Sequence, residues 1–460
     1  MNHAPGPKGF RQLIKTLLQR QLTPIKFYEE TFSKYGDIAY IKMGEYGFLM
    51  LNDADAIEQV LQTDAKIYNK STGYERFRLV FGNGLLTSNG PFWIRQRRLM
   101  ASAFSSKSIE KIHPLIVQES QACIKEWDKK SSLDLADEMN GLTLQIISKT
   151  MLGDLTAEDS AIIKSSVKEI LKYLQTSRHL WLQLFLLPFP IKDKIAAAIK
   201  IESKLPLPST RKFFNAIKNI DKLVLRMIEE RKSLNRNENL LDKLIKSTDE
   251  EDQSQMTSQQ LRDEVVNILL AGHETTSNAL SWTFHQLLKY PEVYKKVSEE
   301  IQQQVKGSSP TYEELPGLTY TQAVLQESMR LYPPFWRVSR QATVDTKVKG
   351  FDIPAGTNVI TSIYTIQRKE KHWDKPLEFR PERFLNDSAD THKFAYIPFG
   401  AGPRICIGTS LAMNEAMTIL ATCLKNYELT KAFTAEPTPL LSMTMQPKDG
   451  CQVSIKRVTK

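Results

Sequence analysis

The sequence predicts a mainly α-helical protein with a minor β part, and three observations carry that reading. Apolar residues recur at helical spacing through residues 108–232, with breaks at Gly141, Gly153 and the prolines from Pro188 to Pro208. One long apolar-rich pattern, residues 257–289, has its own start and stop signals. Strand-like patterns are confined to short stretches near residues 37–52, 350–360 and 437–453.

Taken in order, the chain opens with a stiff lead over about residues 1–20, built on Pro5-Gly-Pro-Lys-Gly9. Ile38–Met43 and Phe48–Leu51 read as a hairpin, and Asp53 as the N-cap of a helix carrying Ile57, Val60 and Leu61. Residues 68–88 mix aromatic, Arg and Gly residues without a period, as a loop does, and Phe77 is a candidate pocket residue there. In the helical run Phe92–Phe104, Trp93 and Arg97 stand four apart and share a face, two donors suited to gripping a carboxylate. Residues 235–260, with the acidic run Asp249–Asp252, read as a polar surface connection.

The pattern over 257–289 starts at a capping box, Thr257-x-x-Gln260, and stops at Tyr290-Pro291. Its middle, Ala271-Gly-His-Glu-Thr-Thr-Ser277, puts small and polar residues on a helix too apolar for the surface. Gly272 allows a local distortion, and Glu274 and Thr275 set a carboxylate beside a hydroxyl. His273 does not complete a His-Glu-x-x-His zinc motif, because position 277 is Ser. Leu318–Leu331 is a further helix on which Glu327 and Arg330 are spaced to pair at the surface. Residues 350–360 read as a hairpin turning at Pro354-Ala-Gly356, and residues 437–453 as a terminal strand pair.

Composition bounds the function. The 460 residues are 41% hydrophobic and 25% charged, ordinary for a globular chain with a large core. No apolar run reaches 18 residues and Met1–Phe10 holds no signal-peptide core, so the expected location is the cytoplasm, with no membrane anchor. Leu180–Pro190 is the most lipid-like segment, too short to span, and is a candidate entrance for an apolar ligand. Cys123, Cys406, Cys423 and Cys451 are widely spaced, with neither a disulfide framework nor zinc spacing. A net charge of +10 is spread along the chain without a nucleic-acid signature, which points to an acidic redox partner and not to nucleic acid.

Cys406 differs from the other cysteines. It lies between glycines at the head of an apolar helical pattern, where backbone N–H groups converge on the sulfur and favour a thiolate, with Arg404 two residues before it. The stretch Phe399-Gly-Ala-Gly-Pro-Arg-Ile-Cys-Ile-Gly408 resembles the haem-binding signature of the cytochrome P450 family. Four further segments resemble the family in its order: Trp93-x-x-x-Arg97, Ala271-Gly-His-Glu-Thr275, Glu327-x-x-Arg330 and Phe379-Arg-Pro-Glu-Arg-Phe384.

The resemblance implies a single, triangular P450 domain over residues 1–460, with residues 257–289 as the long central helix and 399–408 as the haem-thiolate loop. It implies haem b with Cys406 as axial ligand and metal ligand, within a cofactor-binding set of Phe399, Gly400, Arg404, Gly408 and Ala271. Trp93, Arg97, Arg340 and Arg404 would hold propionates. Glu274 and Thr275 would deliver protons to bound O2, and Arg383 would join Glu327 and Arg330 in a structural cluster. Phe335, Arg337 and Val338 would approach the substrate. The expected reaction is monooxygenation of a C–H bond, by hydroxylation or O-dealkylation. NAD(P)H electrons would come through a separate ferredoxin or flavodoxin with its reductase, and the chain would act as a monomer. A fatty acid, terpene or similar apolar substrate is expected; the alternatives are O-demethylation of a polar methylated sugar, a peroxide-driven haem enzyme, or a haem sensor.

Overall fold

Helices dominate a computed structural model that describes residues 2–7, 23–43, 46–174, 207–234, 239–385 and 391–458. The chain divides into two compact units: residues 1–101, 151–270 and 337–362, and residues 102–150, 271–336 and 363–460. The segment Leu180–Pro190 lies outside the described residues.

In the first unit, five strands form one sheet. Ile38–Met43 pairs antiparallel with Tyr46–Leu51 as expected, and Asp53 caps the next helix by accepting from the Ala56 N–H at 2.9 Å. The lead is tied to the sheet edge, where Tyr40 donates its N–H to the Pro5 carbonyl at 2.8 Å. Asn358–Ser362 runs parallel to Tyr46–Leu51 and antiparallel to Arg337–Ala342, whose other neighbour is Tyr68–Lys70. The hairpin expected over 350–360 is therefore corrected. Phe351–Ile353 pairs with Thr346–Val348 across Lys349-Gly350, and the turn at Pro354 only redirects the chain into the larger sheet. A strand pattern shows which residues are extended, but the partner is chosen by long-range packing.

The polar connection 235–260 also departs from expectation. Leu240–Lys246 is a short helix with a capping box between Asn239 and Asp242, and it buries Leu240, Leu241 and Leu244. Asp249, read as part of a surface charge run, is buried and accepts from Arg98 at 3.1 and 3.2 Å.

The central helix runs Ser258–Lys289, with its capping box in place: Thr257 N–H to Gln260 at 2.9 Å and Gln260 N–H to Thr257 Oγ1 at 3.2 Å. Residues 258–270 belong to the first unit. There Asp263, Glu264 and Asn267 accept the N–H groups of Asn83, Leu85 and Leu86 at 2.8, 3.0 and 3.2 Å. Gly82 and Gly84 make this approach possible, since a Cβ on either would lie 2.2 Å or less from Asp263 or Asn267. Burial pushes Glu264 up to about 7.

The second unit holds the rest of the central helix, the helices Ser106–Trp127, Thr319–Leu331 and Thr409–Asn426, and the terminal strands. Of the expected terminal pair, Pro439–Leu441 does pair with Met445–Pro447. Gln452–Arg457 instead lies between Tyr427–Lys431 and Ser132–Asp134. Gly272 does not break the central helix; a Cβ there would lie 3.0 Å from Ile147, so the glycine admits the helix Leu135–Leu152 at close range.

Candidate haem-thiolate site

The loop 399–408 is shaped by its glycines. Gly400 and Gly402 take φ of +74° and +69°, a region open to glycine and strained for other residues. The loop closes where the Cys406 N–H donates to the Phe399 carbonyl at 2.9 Å, and Gly408 caps the helix Thr409–Asn426. A Cβ on Gly408 would touch the Cys406 sulfur at 3.9 Å, so glycine leaves that side of the sulfur uncovered.

The four cysteines separate cleanly. Cys423 and Cys451 are buried, and Cys123 is half-buried. Burial pushes the Cys123 and Cys451 thiols up to about 12, with Glu138 and Asp134 adding to the shift, and pushes Cys423 well up. Those thiols are held in the neutral form. Cys406 alone of the four is exposed, on a loop that directs it to the start of a helix.

The middle of the central helix is polar and asymmetric. His273 and Glu274 are buried, whereas Ala271 is exposed and Thr275 half-buried one turn further on, so the Ala271–Thr275 face is the open one. Thr275 donates its hydroxyl to the Ala271 carbonyl at 2.7 Å, leaving its oxygen lone pairs as acceptors. Glu274 is buried, and its Oε1 accepts from the Thr444 hydroxyl at 2.7 Å. Desolvation pushes His273 down to about 4, so it is a neutral packing residue at physiological pH. Its carbonyl accepts from Thr143 at 3.2 Å.

Glu327, Arg330 and Arg383 come together, but the surface pairing expected for the first two is corrected: both side chains are fully buried. Arg330 grips Glu327 in a fork, Nε to Oε2 at 2.6 Å and Nη2 to Oε1 at 2.9 Å, and Arg383 Nε reaches Oε1 at 3.1 Å. Arg330 also donates to the carbonyls of Gln367, Pro376 and Glu378, which pins residues 367–378 to the helix Thr319–Leu331.

The remaining candidates fall in both units. Phe399, Gly400, Arg404 and Phe335 belong to the second and are partly buried. Trp93 and Arg97 are half-buried on the helix Gly90–Ala101 of the first unit. Arg337 and Val338 are half-buried at the start of the strand Arg337–Ala342, also of the first unit. Phe77 is half-buried and meets Tyr74 and Phe81 edge-on, with centroids 5.9 and 6.2 Å apart. Arg340 is buried and donates to the Ser339 carbonyl at 3.1 Å, and no carboxylate among the described residues pairs with it. Desolvation pulls its guanidinium pKa down, and a buried cation of this kind calls for an anion. Within the second unit, an uncovered sulfur at a helix start and an open face at Ala271 and Thr275 suit a thiolate-bound metal cofactor.

The cytochrome P450 family model matches residues 5–455, and the chain belongs to that family. Among its relatives is cyclooctat-9-en-7-ol 5-monooxygenase of Streptomyces melanosporofaciens, 31% identical over 397 residues, covering 86% of this chain and 83% of the relative. Cyclooctatin synthase of the same organism is 28% identical over 454 residues, covering 97% and 94%. Pentalenene oxygenase of Streptomyces avermitilis is 29% identical over 430 residues, covering 93% and 91%. The protein is an oxidoreductase, a haem monooxygenase that uses haem b and O2 with electrons from NAD(P)H through redox partners, and it acts on a small molecule. No helix among the described residues is long and apolar enough to cross a membrane.

Sequence reasoning missed Thr444 and Asn278. Asn278 lies one turn after Glu274 on the same face of the central helix, a spacing that marks it as a neighbour. Thr444, 170 residues from Glu274, carries no sequence signal of their contact.

Proposed function

We propose that the protein hydroxylates a C–H bond of an apolar terpene, with Cys406 as the thiolate that would hold its haem. The observation that carries the ligand assignment is the exposure of Cys406, alone among the cysteines, on a loop closed by its own N–H to Phe399. When bound, haem b would supply the chemistry that activates O2 for insertion of one oxygen atom. The chain's residues position and protonate. Trp93, Arg97, Arg340 and Arg404 would hold its propionates as donors. Thr275 offers its hydroxyl oxygen to a water on the open face of the central helix, and Glu274 exchanges the proton. Phe77, Phe335 and Val338 supply apolar contacts to the substrate.

The terpene assignment is supported by the names of the relatives, which include a pentalenene oxygenase, and by the excess of apolar over ionisable residues in the proposed pocket set. Arg337 is the exception in that set and supports the polar-substrate alternative if it faces the ligand. A ferredoxin with its reductase is the proposed electron source, consistent with the net charge of +10, and NAD(P)H supply supports action in the cytoplasm.

The ferrous carbonyl spectrum tests the ligand: the wild type gives the thiolate band, and Cys406→Ser abolishes it. A band that survives the substitution overturns the assignment. Spectral titration with cyclic terpene hydrocarbons, fatty acids and methylated sugars tests the substrate class; a shift with sugars alone would overturn the terpene reading.

A further inference from the structure

Glu274 is held by a hydrogen-bond chain that begins on its own helix and passes through the terminal hairpin. Asn278 Nδ2 donates to Thr444 Oγ1 at 3.1 Å, and Thr444 Oγ1 donates to Glu274 Oε1 at 2.7 Å. All three side chains are buried. The direction is set by chemistry. A hydroxyl has one proton, and the Asn278 amide N–H occupies a lone pair of Thr444, so the Thr444 proton points to the carboxylate.

The same helix face continues to Trp282, whose Nε1 donates to the Met445 carbonyl at 3.2 Å. Glu274, Asn278 and Trp282 follow at intervals of four residues, so one stripe of the central helix meets residues 444–445. The hairpin tip is fixed from other directions too: the Met445 N–H donates to the Pro334 carbonyl at 2.8 Å, and the Ser442 N–H to the Thr444 carbonyl at 2.9 Å. The Thr444 hydroxyl is therefore presented to Glu274 by a backbone with little freedom to move.

We propose that Thr444, oriented by Asn278, is a positioning residue for Glu274: by donating to Oε1 it holds the carboxyl in place and stabilises its charged form. This rests on the reading of Glu274 as a proton-handling group in turnover. A hydrogen bond donated to a carboxylate favours its charged form, so the Thr444 hydroxyl offsets part of the desolvation that burial imposes. Without it, Glu274 takes up its proton at higher pH and its carboxyl rotates.

The test uses the ferric holoenzyme and needs no substrate. An infrared pH titration follows the carboxylic C=O band of Glu274, identified as the band missing in Glu274→Gln. Thr444→Val is expected to raise the midpoint by about one pH unit, a tenfold change in proton affinity, and Thr444→Ser to restore it. Trp282→Phe, which removes another anchor of the same hairpin, is expected to leave the midpoint in place. An unchanged midpoint in Thr444→Val overturns the proposal, as does an equal shift in Trp282→Phe, which would make the effect one of hairpin packing. The underlying reading fails separately, if Glu274→Gln releases no more hydrogen peroxide per O2 consumed than the wild type with a surrogate ferredoxin, its reductase and NADPH.

Discussion

Two buried carboxylates in the second unit are held in opposite ways. Glu327 is saturated: its oxygens accept from Arg330 twice, from Arg383, and from the Arg380 N–H at 2.9 Å. Two guanidinium charges answer one carboxylate, and the cluster ties the helix Thr319–Leu331 to residues 367–383. Glu274 takes its partner from a neutral hydroxyl, next to a neutral histidine and a threonine on an open face. A carboxylate between arginines is fixed in charge and place, while the hydroxyl that donates to Glu274 brings no counter-charge. The first arrangement suits a scaffold, and the second suits the proton-handling role proposed for Glu274.

Breaking that contrast begins with Glu327. Glu327→Ala leaves Arg330 fully buried without its counter-charge, and the expected loss is about 3–5 kcal/mol with failure to retain haem. Thermal melting and the haem-to-protein absorbance ratio measure both. A variant that melts with the wild type and keeps its haem would make the cluster dispensable.

A smaller effect is expected at His273, and it is confined in pH. The folded pKa is lowered to about 4, so the unfolded chain binds the extra proton between about 6.5 and 4. Stability attached to the neutral ring is present above 6.5 and lost as pH falls toward 4, by ~3 kcal/mol. His273→Leu should flatten this part of a plot of denaturation free energy against pH. Glu264 gives the opposite sign: its pKa rises to about 7, so the native state holds the extra proton and stability falls as pH rises from about 4.5 to 7. Glu264→Gln should reduce that slope.

The smallest effect on stability is expected at Thr275, where it sharpens the comparison most. Thr275→Ala removes one bond from a half-buried hydroxyl to its own helix, so melting should move by less than about 1 kcal/mol. Electron use should change instead, with a larger share of O2 released as peroxide in turnover assays. Unchanged peroxide yield would take Thr275 out of the proton path.

Local sequence signals were enough for the helical class, the central helix with its capping box, the cap at Asp53 and the Cys406 loop. Each is a local matter: a period, a side chain reaching three residues along, or glycines at positive φ beside a cysteine. Tertiary structure decided the rest. Glu327 and Arg330 read as a surface pair because spacing sets which side chains meet but not whether water reaches them. The strand Phe351–Ile353 was legible as a strand, yet its partner was not, since pairing is settled by distant neighbours. The bond from Thr444 to Glu274 joins residues 170 positions apart and leaves no trace in a single sequence. Local rules act over a few residues, whereas burial and long-range hydrogen bonds exist only once the chain has packed.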